Sequence, residues 1–378
     1  MIGFNKAYTS GRELKYIQDA SERRQLAGDG FYTAKCSEWL ENELSCNRAL
    51  LTHSCTAALE MSAILADVHE GDEIIMPSYT FVSTANAFAL RGAIPVFVDI
   101  RKDTLNIDER LIEAAITTKT KAIVPVHYAG VPCEMDKIMD IAKKYNLLVI
   151  EDAAQGILSS YKGRPLGSIG DIGCLSFHET KNIISGEGGA ILLNNKKFIK
   201  RAEIIREKGT DRTSFMRGEI SKYSWKDIGS SFLPGELTAA FLWAQLQEGH
   251  FITKQRKDIW DFYHQSFESL EELKKITRPN IPQNIFHNGH IYYILVPKNY
   301  DRDKFIESMR TLGVHCVFHY VPLHSSKIGR KIGRVSGDLE ITEDLASRLV
   351  RIPIWLGIDK LKVSQRLKEC VTNCISLK

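Results

Sequence analysis

The apolar positions between residues 33 and 195 follow two alternating patterns. Segments whose apolar residues recur with helical spacing separate short runs that are apolar on both faces. The helical segments are 33–44, 55–67, 81–91, 109–116 and 135–145, and the apolar runs are 49–52, 73–76, 94–100, 122–126 and 147–150. Strands that are buried on both faces and separated by helices indicate a largely parallel sheet covered by helices on both sides. The pattern therefore predicts an α/β fold.

The pattern changes in the second half of the chain. Two further apolar runs, 172–177 and 190–193, are joined by a glycine-rich link rather than by a helix. A long helical region, 236–270, follows a loop rich in Gly, Ser and Pro. Beyond it, apolar runs at 291–296 and 314–318 stand among helices, which predicts a smaller α+β domain.

The length of the chain supports a division into two domains. A chain of 378 residues is longer than one compact core usually serves. We therefore expect a large domain over residues 1–250 and a small C-terminal domain over residues 251–378.

Composition and charge narrow the class of protein. Hydrophobic residues make up 44% and charged residues 25%, which is ordinary for a soluble globular protein. The formal net charge is +4 and the basic residues are interspersed with acidic ones, so neither nucleic acid nor a membrane is an expected partner. No apolar run approaches the roughly 20 residues that span a bilayer, and the first residues lack the pattern of a signal peptide.

The cysteines point to a reducing compartment. The chain has eight, without a Cys-x-x-Cys pair or a Cys/His spacing typical of zinc sites. We therefore expect a cytoplasmic protein that has no structural disulfide and no bound metal.

Four polar clusters follow predicted strands, where ligands of open α/β sheets bind. In the first, residues 52–57, hydroxyls and free N–H groups at a helix N-terminus form a seat for a phosphate. The alternative is that Ser54 only caps the helix.

In the second cluster, residues 149–155, an apolar strand runs into two carboxylates. Because a buried carboxylate needs a partner, Asp152 would pair with a protonated ring nitrogen of a cofactor, or serve as a structural cap or a metal ligand.

The third cluster, residues 173–182, brings Lys181 to the end of an apolar strand, shortly before Gly186-Glu187-Gly188-Gly189. A partly desolvated pocket lowers the pKa of a lysine amine and makes Schiff-base chemistry feasible, whereas most loop lysines only face solvent.

The fourth cluster, residues 76–84, places Phe81 at a strand-to-helix junction. There it would stack on a heteroaromatic ring or belong to the core.

Taken together and in this order, these segments resemble the sugar aminotransferases of the DegT/DnrJ/EryC1/StrS family over nearly the whole chain. The matching segments are 54–60, 77–81, 151–155 and 176–181 with 186–189. The resemblance implies an aspartate-aminotransferase-like fold (PLP fold type I) and pyridoxal 5'-phosphate as the cofactor. It also implies a nucleotide-linked keto-sugar and L-glutamate as substrates, and a homodimer with active sites shared at the subunit interface.

The resemblance also implies roles for individual residues. Lys181 would form the Schiff base with the cofactor and move the proton, and Asp152 would hold the pyridine nitrogen. The remaining cofactor contacts would be Gln155 at the ring hydroxyl, Phe81 on the ring, and Cys55, Thr56 and Ser176 at the phosphate.

One segment departs from the commoner family pattern. Many members have an Asn, and an Arg two places later, where this chain has Ser231 and Leu233. In the family, that segment reaches the cofactor phosphate of the neighbouring subunit. Ser231 is therefore a candidate to replace the Asn as a hydrogen-bond donor to that phosphate.

The sugar site has weaker candidates. His319, Tyr320 and His324 follow a predicted strand and would line the nucleotide-sugar pocket, unless their role is structural. Lys208 and Arg212 lie in a charged segment that would face a diphosphate, although such charge runs are usually solvated surface.

Three other functions are compatible with parts of the pattern. A dehydratase of the same family would carry His at the place of Lys181. A nicotinamide oxidoreductase would need Gly-x-Gly-x-x-Gly after the first strand, where this chain has His53-Ser54-Cys55-Thr56. The third function is that of a sensor that has kept the fold without the activity. The intact pair of Asp152 and Lys181 argues against a sensor.

Overall fold

The computed structural model describes residues 1–375, whose strands form three sheets. The strands of the largest sheet are β1 (Arg48–Thr52), β2 (Glu73–Pro77), β3 (Ile94–Val98), β4 (Thr120–Ile123), β5 (Leu148–Asp152), β8 (Ile172–Ser176), β9 (Gly189–Leu193) and β12 (Arg334–Val335). A three-stranded sheet contains β6 (Ser160–Tyr161), β7 (Arg164–Pro165) and β10 (Ile285–Phe286), and a two-stranded sheet contains β11 (Tyr292–Leu295) and β13 (Leu349–Ile352).

The large sheet has the strand order β1-β9-β8-β5-β4-β2-β3-β12. The neighbours from β8 to β12 pair in parallel, whereas β9 is antiparallel to both β1 and β8. Strand β9 is thus the one reversed strand of this sheet among the residues described. The predicted α/β fold with a largely parallel sheet is confirmed.

Fifteen α-helices occur in the described part of the chain. They are α1 (Glu13–Glu22), α2 (Phe31–Leu44), α3 (Cys55–Leu65), α4 (Val82–Ala89), α5 (Glu109–Ala115), α6 (Met135–Tyr145), α7 (Ile199–Arg206), α8 (Arg212–Met216), α9 (Glu236–Leu246), α10 (Gly249–Ser266), α11 (Glu268–Glu272), α12 (Arg302–Thr311), α13 (Lys327–Ile332), α14 (Glu340–Arg348) and α15 (Lys360–Cys374).

Helices cover both faces of the large sheet because successive strand residues point to opposite sides. In β1, Leu50 packs in a cluster with α3, α4 and α7, whereas Ala49 and Leu51 pack with α2 and α9. In β2, Ile74 belongs to the first cluster and Ile75 packs with α5 and α6. The sheet is therefore the middle of three layers.

The C-terminal part has an apolar core of its own. Strands β11 and β13 pair antiparallel and pack with α10, α12 and α15. Helix α10 crosses residue 250 without a break, and the short strand β12 joins the edge of the large sheet beside β3. The division into domains at residue 250 stays a prediction.

Several sequence-predicted boundaries differ from the structure. The strand predicted at 122–126 ends at Ile123, shortly before Pro125, which has no N–H to donate to a ladder. The helical region predicted at 236–270 is three helices, because α9 ends at Leu246 and the chain turns before α10.

The strand predicted at 314–318 is wrong. The segment makes only single bridges, from Val314 to Ile2 and from Val317 to Arg351. Val314 and Cys316 are buried in the small core, which explains the apolar pattern without a strand ladder.

Candidate active site

A cavity of about 800 Å³ lies where the strands of the large sheet end and the C-terminal part of the chain meets them. Nine of the sequence-predicted site residues line it: Cys55, Thr56, Phe81, Asp152, Gln155, Ser176, Lys181, His319 and Tyr320. The residues come from segments that are far apart in the sequence and that the fold brings to one place.

The N-terminus of α3 forms one wall of the cavity. Ser54 caps the helix, since its hydroxyl accepts a 3.0 Å hydrogen bond from the Ala57 N–H. The N–H groups of Cys55 and Thr56 precede the first intrahelical bond, and among the residues described no acceptor takes them. The helix end is therefore able to bind an anion. The Ser54 cap is observed, and the phosphate seat stays a prediction.

The glycine-rich link lets β9 lie against this helix end. A Cβ on Gly189 would come within 2.4 Å of the Ser54 carbonyl carbon and 2.5 Å of the Cys55 nitrogen. Both contacts are with backbone, so a side chain there would force the helix end away. The absence of a side chain at Gly189 thus allows β9 to pack directly against the backbone of this helix end.

Asp152 is the last residue of β5 and is buried. Its Oδ2 accepts a 2.7 Å hydrogen bond from the Thr84 hydroxyl, and its Oδ1 accepts a 3.2 Å bond from the Ala154 N–H. Burial raises the pKa of this carboxyl above its usual value, against the opposite effect of these two hydrogen bonds. A cationic partner in the cavity would stabilise its charged form.

Lys181 follows β8 and reaches the same cavity. Its amine forms no hydrogen bond or ion pair with any residue in the described part of the chain. Burial lowers the pKa of this amine, and the nearby Arg351 charge lowers it further, whereas Cys55 and Asp152 act in the opposite direction. The cavity thus provides a desolvated, unpaired amine, which is the form in which lysine attacks a carbonyl carbon.

Gln155, Tyr320 and His319 form a connected wall. The side-chain oxygen of Gln155 accepts from the Ala129 N–H at 2.6 Å, and its amide nitrogen donates to the Tyr320 hydroxyl at 2.9 Å. The rings of Tyr320 and His319 are stacked with centroids 3.6 Å apart, and Nδ1 of His319 lies 2.8 Å from the Tyr128 hydroxyl. Burial lowers the pKa of His319 well below its usual value, so the ring is neutral at neutral pH.

Phe81 and Ser176 complete the predicted set. Phe81 precedes α4 and is 56% exposed, with its ring centroid 6.3 Å from that of Tyr320. A ring that is open to the cavity and not packed in the core is free to stack on a ligand. Ser176, the last residue of β8, is buried near the N-terminus of α3.

Four sequence-predicted residues do not line the cavity of the single chain. Ser231 is exposed and bridges to Glu207, and Glu207 also pairs with Lys208 at 3.1 Å and with Arg212 at 3.7 Å. His324 instead lies between the Ser78 hydroxyl and the Glu343 carboxylate, at 2.7 and 3.1 Å.

Strand β5 ends in two carboxylates, Glu151 and Asp152, and the two have different partners. Glu151 is fully buried, and its oxygens accept hydrogen bonds from three backbone N–H groups, at residues 167, 169 and 170, and from His127 Nε2 at 2.9 Å. Neighbouring strand residues face opposite ways, so Glu151 anchors the loop before β8 while Asp152 faces the cavity. In the sequence, the signal that distinguishes Glu151 from Asp152 is the alternation of strand residues between the two faces of the sheet.

Sequence reasoning missed Thr84, Arg256 and Arg351. Thr84 lies one helical turn after Thr80, with the two hydroxyls 2.7 Å apart, but nothing in the sequence shows that this turn faces Asp152. Arg256 and Arg351 both line the cavity from the C-terminal part of the chain. Neither belongs to a recognisable motif.

The structure places limits on other kinds of site. Within residues 1–375 there is no group of three or more His, Cys, Asp or Glu side chains arranged to hold a metal ion. In that same part of the chain no helix has both the length and the apolar character to cross a bilayer.

The cavity residues fit one kind of cofactor. The free N–H groups of α3 suit a phosphate, the buried Asp152 suits a protonated ring nitrogen, and the unpaired Lys181 amine suits an aldehyde. Phe81 offers an aromatic face. Pyridoxal phosphate carries all of these groups on one ring.

Comparison with known proteins gives a consistent result. A family model described as the DegT/DnrJ/EryC1/StrS aminotransferase family matches residues 8–370. The protein MJ1066 of Methanocaldococcus jannaschii is 38% identical over 354 residues, which cover 90% of each chain. GDP-perosamine synthase of Escherichia coli O157:H7 is 30% identical over 363 residues, which cover 94% of this chain and 93% of that protein.

The fold has close counterparts among solved structures. The putative sugar aminotransferase Spr1654 from Streptococcus pneumoniae, solved in its PMP form, superimposes with a TM-score of 0.90 at 24% identity. The match covers 99% of this chain and 100% of that one, so the two share their fold over the whole length.

Proposed function

Because the chain belongs to the DegT/DnrJ/EryC1/StrS aminotransferase family, and is thereby a sugar aminotransferase dependent on pyridoxal phosphate, we propose a specific reaction for it. It converts dTDP-4-keto-6-deoxy-D-glucose to dTDP-4-amino-4,6-dideoxy-D-galactose, with L-glutamate as the amino donor. The observation that carries the chemistry is the unpaired, buried Lys181 amine in one cavity with Asp152.

The cofactor would be held by residues already described. Lys181 would bind its aldehyde, Asp152 its ring nitrogen and Gln155 its ring hydroxyl. Phe81 would stack on the ring, and the phosphate would lie at the N-terminus of α3 with Cys55, Thr56 and Ser176. When bound, pyridoxal phosphate supplies a carbonyl that takes up an amino group and a ring that stabilises negative charge on the adjoining carbon.

The chain's own residues orient the substrates and move the proton. The free Lys181 amine would act as a base at the donor's α-carbon, because its lowered pKa leaves more of it unprotonated at neutral pH. Once protonated, the same amine would give that proton to the carbon on the other side of the transferred nitrogen. Asp152 keeps the ring nitrogen protonated, and Thr84 keeps Asp152 in place.

Three segments support the choice of sugar. Residues 125–130, 227–231 and 318–324 resemble those of the dTDP-4-amino-4,6-dideoxygalactose transaminases of enterobacterial common antigen synthesis. His319 and Tyr320 line the cavity and are the primary candidates for sugar contacts. His324 lies behind them against Ser78 and would act through the position of the loop. The gluco epimer and a 3-amino sugar are the alternatives that the same fold would accommodate.

A second candidate substrate is a GDP-linked keto-sugar. The name of the Escherichia coli relative, GDP-perosamine synthase, favours it. The two candidates differ in the nucleotide, which is tested directly by offering each one.

We further propose a homodimer whose subunits share their active sites. Large apolar side chains are exposed next to Ser231, with Tyr223, Trp225 and Ile228 at 51%, 78% and 56%. Exposed patches of this kind mark protein interfaces. Ser231 would then contact the partner's cofactor phosphate, and Lys208 and Arg212, which lie beside it around Glu207, would face the diphosphate.

A cytoplasmic location is also part of the proposal. All eight cysteines are free thiols in the structure, as expected of a protein kept in a reducing compartment.

The test is a product assay. The enzyme is incubated with L-glutamate, pyridoxal phosphate and either dTDP-4-keto-6-deoxy-D-glucose or a GDP-linked keto-sugar, and the stereochemistry of the product is assigned by NMR. We expect the dTDP-linked 4-amino galacto product. A dTDP-linked gluco or 3-amino product, or turnover of the GDP-linked sugar alone, would refute the proposed substrate or product.

A single substitution tests the role assigned to Lys181. Lys181→Arg keeps a long basic side chain and should fold, yet it should abolish turnover. Borohydride reduction followed by peptide mapping should place the cofactor on Lys181 of the wild type. A fully active Lys181→Arg enzyme, or a label on another lysine, would overturn the assignment of this residue.

A further inference from the structure

Arg351 has an unusual place in the cavity wall. It lies within β13 and lines the cavity that contains Lys181. Its guanidinium makes one hydrogen bond in the described part of the chain, from Nε to the Phe318 carbonyl at 3.4 Å, and no carboxylate there lies within 4 Å. Its side chain also lies over the Phe4 ring, 4.7 Å from the centroid.

The backbone around Arg351 is held on two sides. Its strand pairs with β11, where Arg351 is opposite Tyr293, and its N–H donates to the Val317 carbonyl at 2.7 Å. The sheet thus fixes the backbone at Arg351, and the Phe4 ring lies against its half-buried side chain. Only the Nε–H of its five N–H donors has an acceptor among the described residues, so the two terminal nitrogens are available to an anion in the cavity.

The other cationic groups of the cavity are already in use. Arg256 is buried and donates to the carbonyls of Gly289 and His290 at 3.3 and 2.7 Å. His290 is neutral at neutral pH, because burial lowers its pKa well below the usual value. Lys181 is assigned to the cofactor. His178, which also lines the cavity, lies 3.6 Å from the Glu187 carboxylate. Arg351 is therefore the cationic side chain of the cavity that is available to bind an anion.

We propose that Arg351 binds a carboxylate of the amino donor and thereby selects an α-amino acid for the first half of the reaction. An arginine fork matches a carboxylate with two parallel hydrogen bonds. The proposal rests on the proposed function, since it assigns a residue to the donor used at that same site.

The chemistry of the two substrates favours the donor over the sugar nucleotide. In an amino acid the carboxylate is attached to the same carbon as the reacting amine, so it must lie near Lys181. In a nucleotide-linked 4-keto-sugar the diphosphate is separated from the reacting carbon by the sugar ring. Arg351 is close enough to Lys181 for its charge to lower the pKa of that amine.

The test measures the two half-reactions separately in cofactor-loaded enzyme. In Arg351→Gln, the L-glutamate concentration that half-saturates conversion of bound pyridoxal phosphate to its amine form should rise about 10- to 100-fold. The keto-sugar concentration that half-saturates conversion of the pyridoxamine-phosphate enzyme should be unchanged. Benzylamine, a donor without a carboxylate, should half-saturate variant and wild type at the same concentration. The rates of all these reactions should shift together, because the Arg351 charge lowers the pKa of the Lys181 amine.

Two further variants keep the result interpretable. Arg351→Lys retains the charge without the fork and should recover part of the glutamate affinity. Arg366→Gln makes the same substitution in α15, where the arginine already pairs with Glu369 at 2.7 Å, and should change neither half-reaction. Cofactor absorbance and circular dichroism establish that each variant is folded and loaded.

Each outcome decides the proposal. An unchanged glutamate response in Arg351→Gln would overturn it, and so would a loss confined to the keto-sugar half, which would assign the arginine to the diphosphate. A wild-type enzyme that ignores glutamate and accepts another amino acid would correct the proposed donor. The same comparison with that amino acid would then decide the role of Arg351.

Discussion

The Thr84 hydroxyl donates a 2.7 Å hydrogen bond to Oδ2 of Asp152, and so connects helix α4 to the end of strand β5. Because Thr84 donates to the carboxylate, the proton between Thr84 and Thr80, whose oxygens are 2.7 Å apart, comes from Thr80. The carboxylate thus receives an oriented chain of two hydroxyls. This chain favours the charged form of Asp152, against the burial that raises its pKa.

Thr84→Val should weaken cofactor binding and slow turnover. Valine has nearly the same shape but no hydroxyl, so Asp152 loses a hydrogen bond to its charged form, worth about 1.5–3 kcal/mol. We expect the dissociation constant for pyridoxal phosphate to rise by roughly tenfold or more, as measured by equilibrium titration of the apoenzyme.

Thr342→Val is the matched control for that prediction. The Thr342 hydroxyl also donates to a buried carboxylate, Asp99, but neither residue lines the cavity. This variant should lower stability and leave cofactor affinity as it was. Equal cofactor affinity in Thr84→Val and the wild type would show that the hydroxyl chain does not support Asp152.

Asp152→Asn should stabilise the cofactor-free protein at neutral pH while it abolishes most activity. The pKa of Asp152 is raised in the folded state, so between the ordinary value of 3.8 and the raised value the folded protein binds more protons than the unfolded one. Stability from this group is therefore present below pH 3.8 and is lost as the pH rises through the folded pKa. Asparagine has no such charge.

Thermal unfolding of the two apoproteins from about pH 4 to about pH 8 checks this. The advantage of Asp152→Asn should grow as the pH rises. If Asp152→Asn unfolds at a lower temperature than the wild type over this whole pH range, the inference that the pKa of the Asp152 carboxyl is raised is wrong.

Gly189→Ala should reduce affinity for the cofactor's phosphate. The added methyl group would meet backbone atoms of Ser54 and Cys55 at about 2.5 Å or less, so the N-terminus of α3 must shift. We expect weaker binding of pyridoxal phosphate but little change for pyridoxal, which has no phosphate. Fluorescence titration with both compounds measures the difference.

Gly3→Ala provides the comparison for this substitution. A Cβ at Gly3 meets nothing closer than 3.8 Å, so this variant should bind both compounds as the wild type does. An equal loss for pyridoxal and pyridoxal phosphate in Gly189→Ala would point to general misfolding instead of a displaced phosphate seat.

Trp225→Asp should produce a monomer that retains cofactor poorly. Trp225 is 78% exposed beside the segment of Ser231, and a charge at the centre of an apolar interface is unfavourable. Sedimentation velocity gives the mass. Leu361→Asp introduces the same charge at a site in α15 that is 68% exposed, and it should leave the dimer intact. A dimeric Trp225→Asp protein with full cofactor retention would contradict the proposed interface.

The local pattern of the sequence predicted the elements of the large sheet well. Helix α6 was predicted with its observed bounds, and β9 was predicted within one residue. These elements are specified by their own apolar residues and by adjacent glycines and polar caps. The motifs around Lys181 and Asp152 were found for the same reason, since each lies at the end of such an element.

Contacts between distant segments were not predictable in this way. Arg351 is one charged residue in an apolar strand, and only the pairing of β13 with β11 and Val317 turns it toward the cavity. The run at 314–318 had a strand-like pattern, yet burial in the small core satisfied it without a ladder. Such outcomes depend on packing partners that are remote in the chain.

The position of β9 in the chain has a consequence for synthesis on the ribosome. Helix α3 emerges early, but Gly189, against which its first turn packs, is made only after β2 to β8. A nascent chain thus has no finished seat for the phosphate until β9 has joined the sheet, so a vitamin-derived cofactor in the cell is expected to bind only after that step.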